Sequence, residues 1–488
     1  MMSQAMLNTL SLAQLPAACA VPGYQRSLLQ PGIVHLGLGA FHRAHQAAYT
    51  DAILGQGDLR WGIVGVSLRQ PDTRNALAPQ DNLYTLAIRG AQGETLRVIG
   101  ALMSSLVAPE NPAAVLAAMA DPQCHIVSLT VTEKGYCYDP ANRSLLQDHP
   151  DIVHDLAHPD TPRSALGFIV RALAQRKNSG LPPFTVLSCD NLPSNGDTAR
   201  GLVCELAQRI DPQLADWIAA QGAFPNAMVD RIVPKTTDAD RLEIATSLTL
   251  TDAWPVMTEE FTQWVIEDRF AGPRPAWQQV GVTMVDDARP YEHAKLRMLN
   301  GSHSSLAYLG ILMGYLTVDR AMQDTDLTRF LERMMQSEIA PTLSRPALDA
   351  YRQDLLERFR NPSLNHQLHQ IAMDGSQKLP QRLLGTIRAR LAENLPIPCL
   401  SFAIAGWFHY LKEHTDDGVD YRICDPLAVL LREAANNEVD PVQALLNIKA
   451  VFGEEAPKEQ GFVTPLRQHY ARIAKAGTAQ ALQQLLDE

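Results

Sequence analysis

The sequence has no apolar run of the ~18 residues a membrane span requires, no CxxC pair, no block of lysine and arginine, no internal repeat and no low-complexity segment. The first absence excludes an integral helical membrane protein. The seven cysteines (Cys19, Cys124, Cys137, Cys189, Cys204, Cys399 and Cys424) are scattered and odd in number. That fits a reducing compartment better than a disulfide framework, so a cytoplasmic location is expected. A net charge of −11 with no basic tail argues against a general nucleic-acid binder. It leaves room for a small anionic ligand, because a local cluster can be positive on an acidic protein. The first twenty residues, "MMSQAMLNTLSLAQLPAACA", are mildly apolar but lack the basic start of a signal peptide. They are expected to lead into the first domain. No cluster has metal-ligand spacing either. The HxxH of His42 and His45 has no acidic or cysteine partner nearby, so no metal is expected.

The chain has 488 residues, 46% hydrophobic and 19% charged. This is a soluble globular composition, and the length exceeds the ~250–300 residues at which a single core stops growing. In the first half, "GIVHLGLGA" (32–40), "WGIVGVSL" (61–68), "HIVSLTVT" (125–132) and "FTVLSCDN" (184–191) are short β-type runs. Between them lie helical stretches such as "NPAAVLAAMA" and "SALGFIVRALAQRK". Strands this apolar predict a sheet covered on both faces, and the alternation predicts a doubly wound α/β domain over residues 1–285. From residue 286 the runs are helical: "DDARPYEHAKLRMLNGSHSSLAYLGILMGY", "DLTRFLERMMQSEIA", "LDAYRQDLLERFR", "PQRLLGTIRARLAENL" and "DPLAVLLREAANN". The second domain, 286–488, is expected to be mainly helical.

Two stretches carry candidate chemistry. In "IVHLGLGAFHRAHQAAY", Gly37 and Gly39 follow the first strand directly, where a dinucleotide-binding turn needs one glycine for its bend and one for close approach to the pyrophosphate. The third glycine of GxGxxG is absent, with His42 in its place. Taken alone the turn reads as well as an ordinary strand-to-helix connection. The second strand ends in "SLRQPD", so Asp72 is a candidate for the ribose hydroxyls, while Arg69 and Arg74 beside it are candidates for a 2′-phosphate. The polar "FHRAHQ" also reads as a solvated helix start. In "KLRMLNGSH", Lys295, Asn300 and His303 stand at i, i+5 and i+8. At ~100° per residue they share one broad helical face. A mid-helix Asn or His reads equally as a satisfied core group. Asp230 beside Arg231 reads as a structural ion pair, and Glu292 with Lys295 or Arg289 as i,i+3 pairing.

Five motifs in order, "GLGAFHRAHQAAYTD", "VSLTVTEKGYC", "TVLSCDNLPSNG", "FPNAMVDRIVP" and "KLRMLNGSH", resemble the polyol-specific long-chain dehydrogenases, the mannitol dehydrogenase family. The resemblance runs from about residue 30 to beyond residue 460. It implies a Rossmann-type N-terminal domain that binds NAD(H), with Gly37, Gly39, Phe41 and Asp72 as cofactor residues. It also implies a helical C-terminal domain, an active site between the two, and metal-free chemistry. It maps the catalytic centre onto Lys295, Asn300 and His303, substrate contacts onto Asn191, Asp230 and Lys378, and a proton path onto Glu292. Hydride transfer from a secondary alcohol needs a base for the hydroxyl proton and donors for the developing alkoxide. Lys295 serves as the base if its pKa falls from ~10.4 to about 7–8, and Asn300 and His303 serve as the donors.

Within the family, Lys134 stands where the mannitol-oxidising branch has Gly, and Gln370 where it has Arg. "NPSLNHQLHQIAMDGSQKLPQRLL" resembles the fructuronate reductase branch, which interconverts D-mannonate and D-fructuronate, while "FPNAMVDR" resembles the mannitol branch. The expectation is therefore a sugar-acid substrate whose carboxylate meets Lys134 and Arg382, with Arg297 turned away. The alternatives are D-mannitol, arabinitol or tagaturonate as substrate, or a dinucleotide sensor without catalysis. The intact Lys295, Asn300 and His303 set argues against the sensor. No nucleic-acid or membrane partner is expected. Nothing in the sequence marks an interface between copies, and the family includes monomers.

Overall fold

The β-branched runs of the first half become the centre of a parallel sheet. The computed structural model describes residues 5–90, 93–139, 142, 144–362 and 365–488. The start of the N-terminal stretch and residues 363 and 364 of the "NPSLNHQ" segment lie outside them. The chain divides into two units, Met1–Arg289 and Pro290–Glu488.

The strands of the first unit are β1 (Ile33–Leu36), β2 (Ile63–Ser67), β3 (Tyr84–Gly90), β4 (Gly93–Ile99), β5 (Leu102–Val107), β6 (Ile126–Leu129), the short pair β7 (Tyr138–Asp139) and β8 (Ser144–Leu145), β9 (Thr185–Ser188), β10 (Ala227–Asp230), β11 (Val256–Glu259), β12 (Gln263–Glu267) and β13 (Thr283–Val285). Five of them form one sheet in the order β5-β2-β1-β6-β9, every neighbouring pair parallel. All residues of β1, β2, β6 and β9 are buried. Successive side chains feed opposite faces. Ile33, Ile63 and Ile126 join a core with Trp61, Trp264 and Trp277. Val34, Val64 and Val127 join another with Phe168 and Leu202. Burial on both faces explains why these strands read as unbroken apolar runs.

The helices flanking the sheet start where the sequence caps them. Asn111 accepts from the Ala114 amide to open Pro112–Ala120, and Ser164 accepts from the Gly167 amide to open Ala165–Asn178. Two smaller sheets, β11-β3-β4 and β10-β12-β13, complete the unit.

The second unit is helical. Its centre is the helix Gly301–Leu312, in which every residue is buried, and the helix Pro398–Tyr410. In the second of these the buried residues run from Cys399 to Tyr410, with Pro398 half-buried. The two helices approach closely: a Cβ on Gly406 would stand 2.4 Å from a Leu309 methyl. Three helical segments are π-helical rather than α-helical: Lys295–Asn300, Met334–Ile339 and Pro380–Leu384.

Candidate active site

In the first unit the glycine turn lies where the strand order reverses, between β1 and β6. Gly37 has φ +96, and a Cβ there would lie 2.1 Å from the Thr130 carbonyl oxygen. Only glycine fits both conditions. Its amide donates to Val66 at 2.9 Å, and its carbonyl accepts from Thr130 Oγ1 at 2.8 Å, so the turn is tied to the ends of β2 and β6. Gly39 precedes the five-residue helix Ala40–Ala44.

The missing third glycine has a physical substitute. His42 lies flat on His35 of β1, ring centroids 3.4 Å apart and planes 13° from parallel. His35 is fixed by Ser128 and Thr130, each at 2.8 Å. Close packing of helix on strand is thus made by two stacked imidazoles instead of a bare backbone. Burial keeps both neutral, pushing His35 down to about 3 and His42 well below the usual histidine value. The reading of "FHRAHQ" as a solvated helix start is corrected: His42, Arg43, His45 and Gln46 are all buried. Arg43 donates to the Trp254 carbonyl, and His45 meets the Gln263 carbonyl. Phe41, half-buried, stacks on His45 with centroids 5.1 Å apart.

Asp72 opens the helix Asp72–Leu77 just beyond β2 and is exposed. A pocket of about 560 Å³ lies past the ends of β2 and β5. Its walls include Leu68, Ala108, Pro109 and Pro112, with Arg69 and Asp151 on its polar side. The outer ends of parallel strands, with a glycine turn at the switch point, are where such sheets hold dinucleotides. Gly37 approaches the end of β6 closely, with no side chain between. Sequence reasoning missed the pocket, because its walls come from four separated stretches of chain.

Lys134 is exposed on the short helix Glu133–Tyr136 that follows β6, and Asn191 is exposed beyond β9. The two loops are clamped by Asp190, which the sequence did not single out. Its carboxylate accepts from the amides of Val131 (3.0 Å) and Thr132 (2.9 Å) and from the Tyr136 hydroxyl (2.8 Å). Burial raises its pKa to about 6 against these hydrogen bonds. Asp230 is buried at the end of β10. The neighbouring Arg231 turns to the backbone carbonyls of Ala44 and Glu259.

In the second unit, Lys295 is the first residue and Asn300 the last of a π-helical turn. Gly301 closes it by donating to the Leu296 carbonyl, five residues back. In an i→i+5 pattern the residue five along comes round towards the first. An α-helical reading put Asn300 ~140° from Lys295; the wider turn swings it nearer. His303 follows in the α-helix and is buried. It stacks on Phe359, centroids 4.3 Å apart, and meets His366 edge-on at 5.3 Å. Burial first, then His366, Arg358, Arg382 and Lys378, hold it well below the usual histidine value. It is therefore a neutral imidazole that donates through one nitrogen.

Arg382 lies on the π-helical segment Pro380–Leu384 and donates to Ser304 Oγ at 3.0 Å and to the Asn300 carbonyl at 3.5 Å. Lys378 donates to the Ile371 carbonyl at 3.3 Å. Glu292 is half-buried on the turn before Lys295. Arg297 bonds Thr342 at 3.2 Å. Arg358 and His366 were not singled out by the sequence; Arg358 is buried near the end of the helix Leu348–Arg360. Among the described residues no group of three or more His, Cys, Asp or Glu is placed to hold a metal ion, and no helix is long and apolar enough to cross a membrane.

A parallel sheet with a glycine turn at its switch point defines a dinucleotide-binding class of protein. Residues 31–279 match the Mannitol dehydrogenase Rossmann domain and residues 287–474 the Mannitol dehydrogenase C-terminal domain. The chain is 44% identical over 482 residues to the uncharacterized oxidoreductase YeiQ of Escherichia coli, covering 98% of this chain and 99% of that one. It is 41% identical over 488 residues to a mannitol 2-dehydrogenase of Phaeosphaeria nodorum, covering 98% and 85%. Among solved structures, the Pseudomonas fluorescens mannitol 2-dehydrogenase in ternary complex with NAD and D-mannitol superposes with a TM-score of 0.89 at 40% identity, over 99% of this chain and all of that one. The chain belongs to the mannitol dehydrogenase family, and it is an NAD-dependent dehydrogenase acting on CH–OH groups.

Proposed function

We propose that the chain interconverts a sugar acid and its keto form, D-mannonate + NAD⁺ giving D-fructuronate + NADH, with Lys295 as general base. The observation that supports the substrate class is the placing of two arginines near His303: Arg382 donates to Ser304 Oγ and the Asn300 carbonyl, and buried Arg358 precedes Phe359, which stacks on the imidazole. Arginines beside the oxygen-binding donor suit a carboxylate, as charge-assisted partners. Lys134, exposed after β6, is a further candidate for the carboxylate.

NAD(H), when bound, would supply the hydride acceptor for oxidation of the alcohol carbon and the hydride donor for the reverse. Lys295 removes the hydroxyl proton on oxidation and gives it back on reduction, with Glu292 one turn earlier passing it towards solvent. Asn300 and the neutral His303 donate hydrogen bonds to the substrate oxygen, an arrangement that stabilises negative charge as it develops. Burial and the surrounding cations disfavour protonation of His303, so it does not take the hydroxyl proton and leaves it to Lys295. Asn191, Asp230 and Lys378 are proposed contacts to substrate hydroxyls, and Gly37, Gly39, Phe41 and Asp72 to the cofactor.

The second reading, a mannitol 2-dehydrogenase acting on D-mannitol and D-fructose, is favoured by the full-length similarity to enzymes of that name. Charge removal separates the two. A charge-assisted hydrogen bond contributes ~1.5–3 kcal/mol, or about 10–150-fold in affinity. Lys134→Gly and Arg358→Gln should each raise KM for D-fructuronate by that order and change D-fructose turnover far less. Equal losses on both substrates would remove the carboxylate from the proposal.

A further inference from the structure

Two arginines flank Asp72 at the end of β2, and both are held by carboxylates from other elements. Arg69 Nη2 lies 2.5 Å from Asp151 Oδ2, on the helix Pro150–Ala157. Arg74 Nη2 meets both oxygens of Glu110, at 2.9 and 2.8 Å, while its Nε meets Asn75 Oδ1 at 2.8 Å. Glu110 stands just before the helix that follows β5. Arg69 and Asp151 both line the pocket of about 560 Å³. The acid is the fixed partner: 13% of the Asp151 side chain is exposed, against 60% of Arg69. His154 and Arg163 complete the polar rim, with Arg163 exposed.

An arginine at the end of this strand is the group that receives a 2′-phosphate in NADP-binding sheets, and an acid there receives ribose hydroxyls. This chain carries both kinds of residue. Each arginine is neutralised by a carboxylate as well as drawn towards it. A dianionic phosphate arriving there meets Asp72, Asp151 and Glu110, and must displace two formed ion pairs to reach the guanidinium groups.

We propose that Asp151 and Glu110 set the cofactor preference, by holding Arg69 and Arg74 in ion pairs that a 2′-phosphate would have to break. This rests on the placement of the adenosine ribose beside Asp72. Exposed ion pairs are individually weak and screened by salt. Discrimination of this origin is therefore modest per pair, cumulative over the two, and strongest at low ionic strength.

The test is direct binding, read by quenching of protein fluorescence as NADH or NADPH is titrated into wild type, Asp151→Asn, Glu110→Gln and the double variant, at low and high salt. Wild type should bind NADH more tightly than NADPH. The double variant should move the ratio of the two dissociation constants about tenfold towards NADPH, equivalent to ~1.4 kcal/mol. High salt should shrink that shift. Adding Arg69→Ala and Arg74→Ala to the double variant should abolish it.

An unchanged ratio in the double variant, with wild type preferring NADH, overturns the proposal. So does a shift that survives loss of both arginines, since it would then come from removed negative charge alone. A wild type without preference for NADH overturns instead the placement of the ribose at Asp72. Glu110 is 49% exposed, so Glu110→Gln tests the idea even where Asp151→Asn perturbs folding.

Discussion

Asp190→Asn isolates one carboxylate that holds two loops bearing proposed site residues. Asp190 joins the loop after β6, bearing Lys134, to its own loop after β9, bearing Asn191. One oxygen receives the Val131 amide and the Tyr136 hydroxyl, and the other receives the Thr132 amide. An asparagine keeps one of these oxygens and turns an NH₂ towards the donors of the other. A buried donor left without a partner costs ~1–3 kcal/mol. Against this stands the burial of the charge itself, which raises the folded-state pKa from 3.8 to about 6.

Between those two values the folded chain binds the proton more tightly than the unfolded chain. This group's contribution to stability is therefore complete at low pH and falls as pH rises towards 6. At about 1.36 kcal/mol per pH unit the fall approaches ~3 kcal/mol, and solvent reaching the residue reduces it to roughly 2. The stability of wild type relative to Asp190→Asn should thus decline by ~2 kcal/mol from pH 4 to pH 7, measured by denaturant titration of both proteins. At neutral pH the variant should melt close to wild type, yet exchange the Val131 and Thr132 amides faster and bind substrate less tightly. A stability difference that is flat in pH, or that rises with it, would refute the reasoning.

Lys295→Ala should lower kcat by ~10²–10⁴-fold, the usual worth of a general base, and leave NADH binding near wild type by fluorescence titration; a variant keeping most of its turnover would remove Lys295 from the chemistry. Gly301→Ala places a methyl 3.0 Å from the Arg382 carbonyl oxygen and 3.3 Å from a Leu383 methyl. It should separate the two π-helical segments by a few tenths of an ångström and lower kcat by about tenfold, scaled from the ~10² that a 1 Å misplacement costs, with NADH affinity retained. Unchanged kcat in a crystallographically displaced variant would show that the spacing of the two segments does not matter.

The parallel sheet was legible because β1, β2, β6 and β9 are buried on both faces and so lack polar interruptions. The fifth strand was not: β5 is "LMSSLV", half-buried along its middle, and its two serines hide it. The strands β3, β4 and β10 to β13 lie in stretches that carry no such unbroken run. In the second unit, helix positions were legible from their apolar periodicity, and Leu348–Arg360 follows the predicted limits.

The π turn was not legible, because nothing in "KLRMLN" distinguishes an i→i+5 from an i→i+4 ladder. Its one trace was the i,i+5 spacing of Lys295 and Asn300, awkward on an α-helix. Arg358 was hidden for a different reason. Its neighbour Phe359 stacks on His303, a contact across more than fifty residues of chain. Likewise Arg69 and Arg74 read from sequence as open to a phosphate, since their carboxylates come from 82 and 36 residues away.

The most direct measurement is kcat/KM for D-fructuronate and for D-fructose, each reduced by wild-type enzyme with NADH and followed by NADH absorbance in one buffer. A carboxylate met by the cations about His303 predicts a preference for D-fructuronate of at least ~10-fold, the lower bound for one charge-assisted hydrogen bond. A preference for D-fructose would contradict the account and make the enzyme a mannitol 2-dehydrogenase.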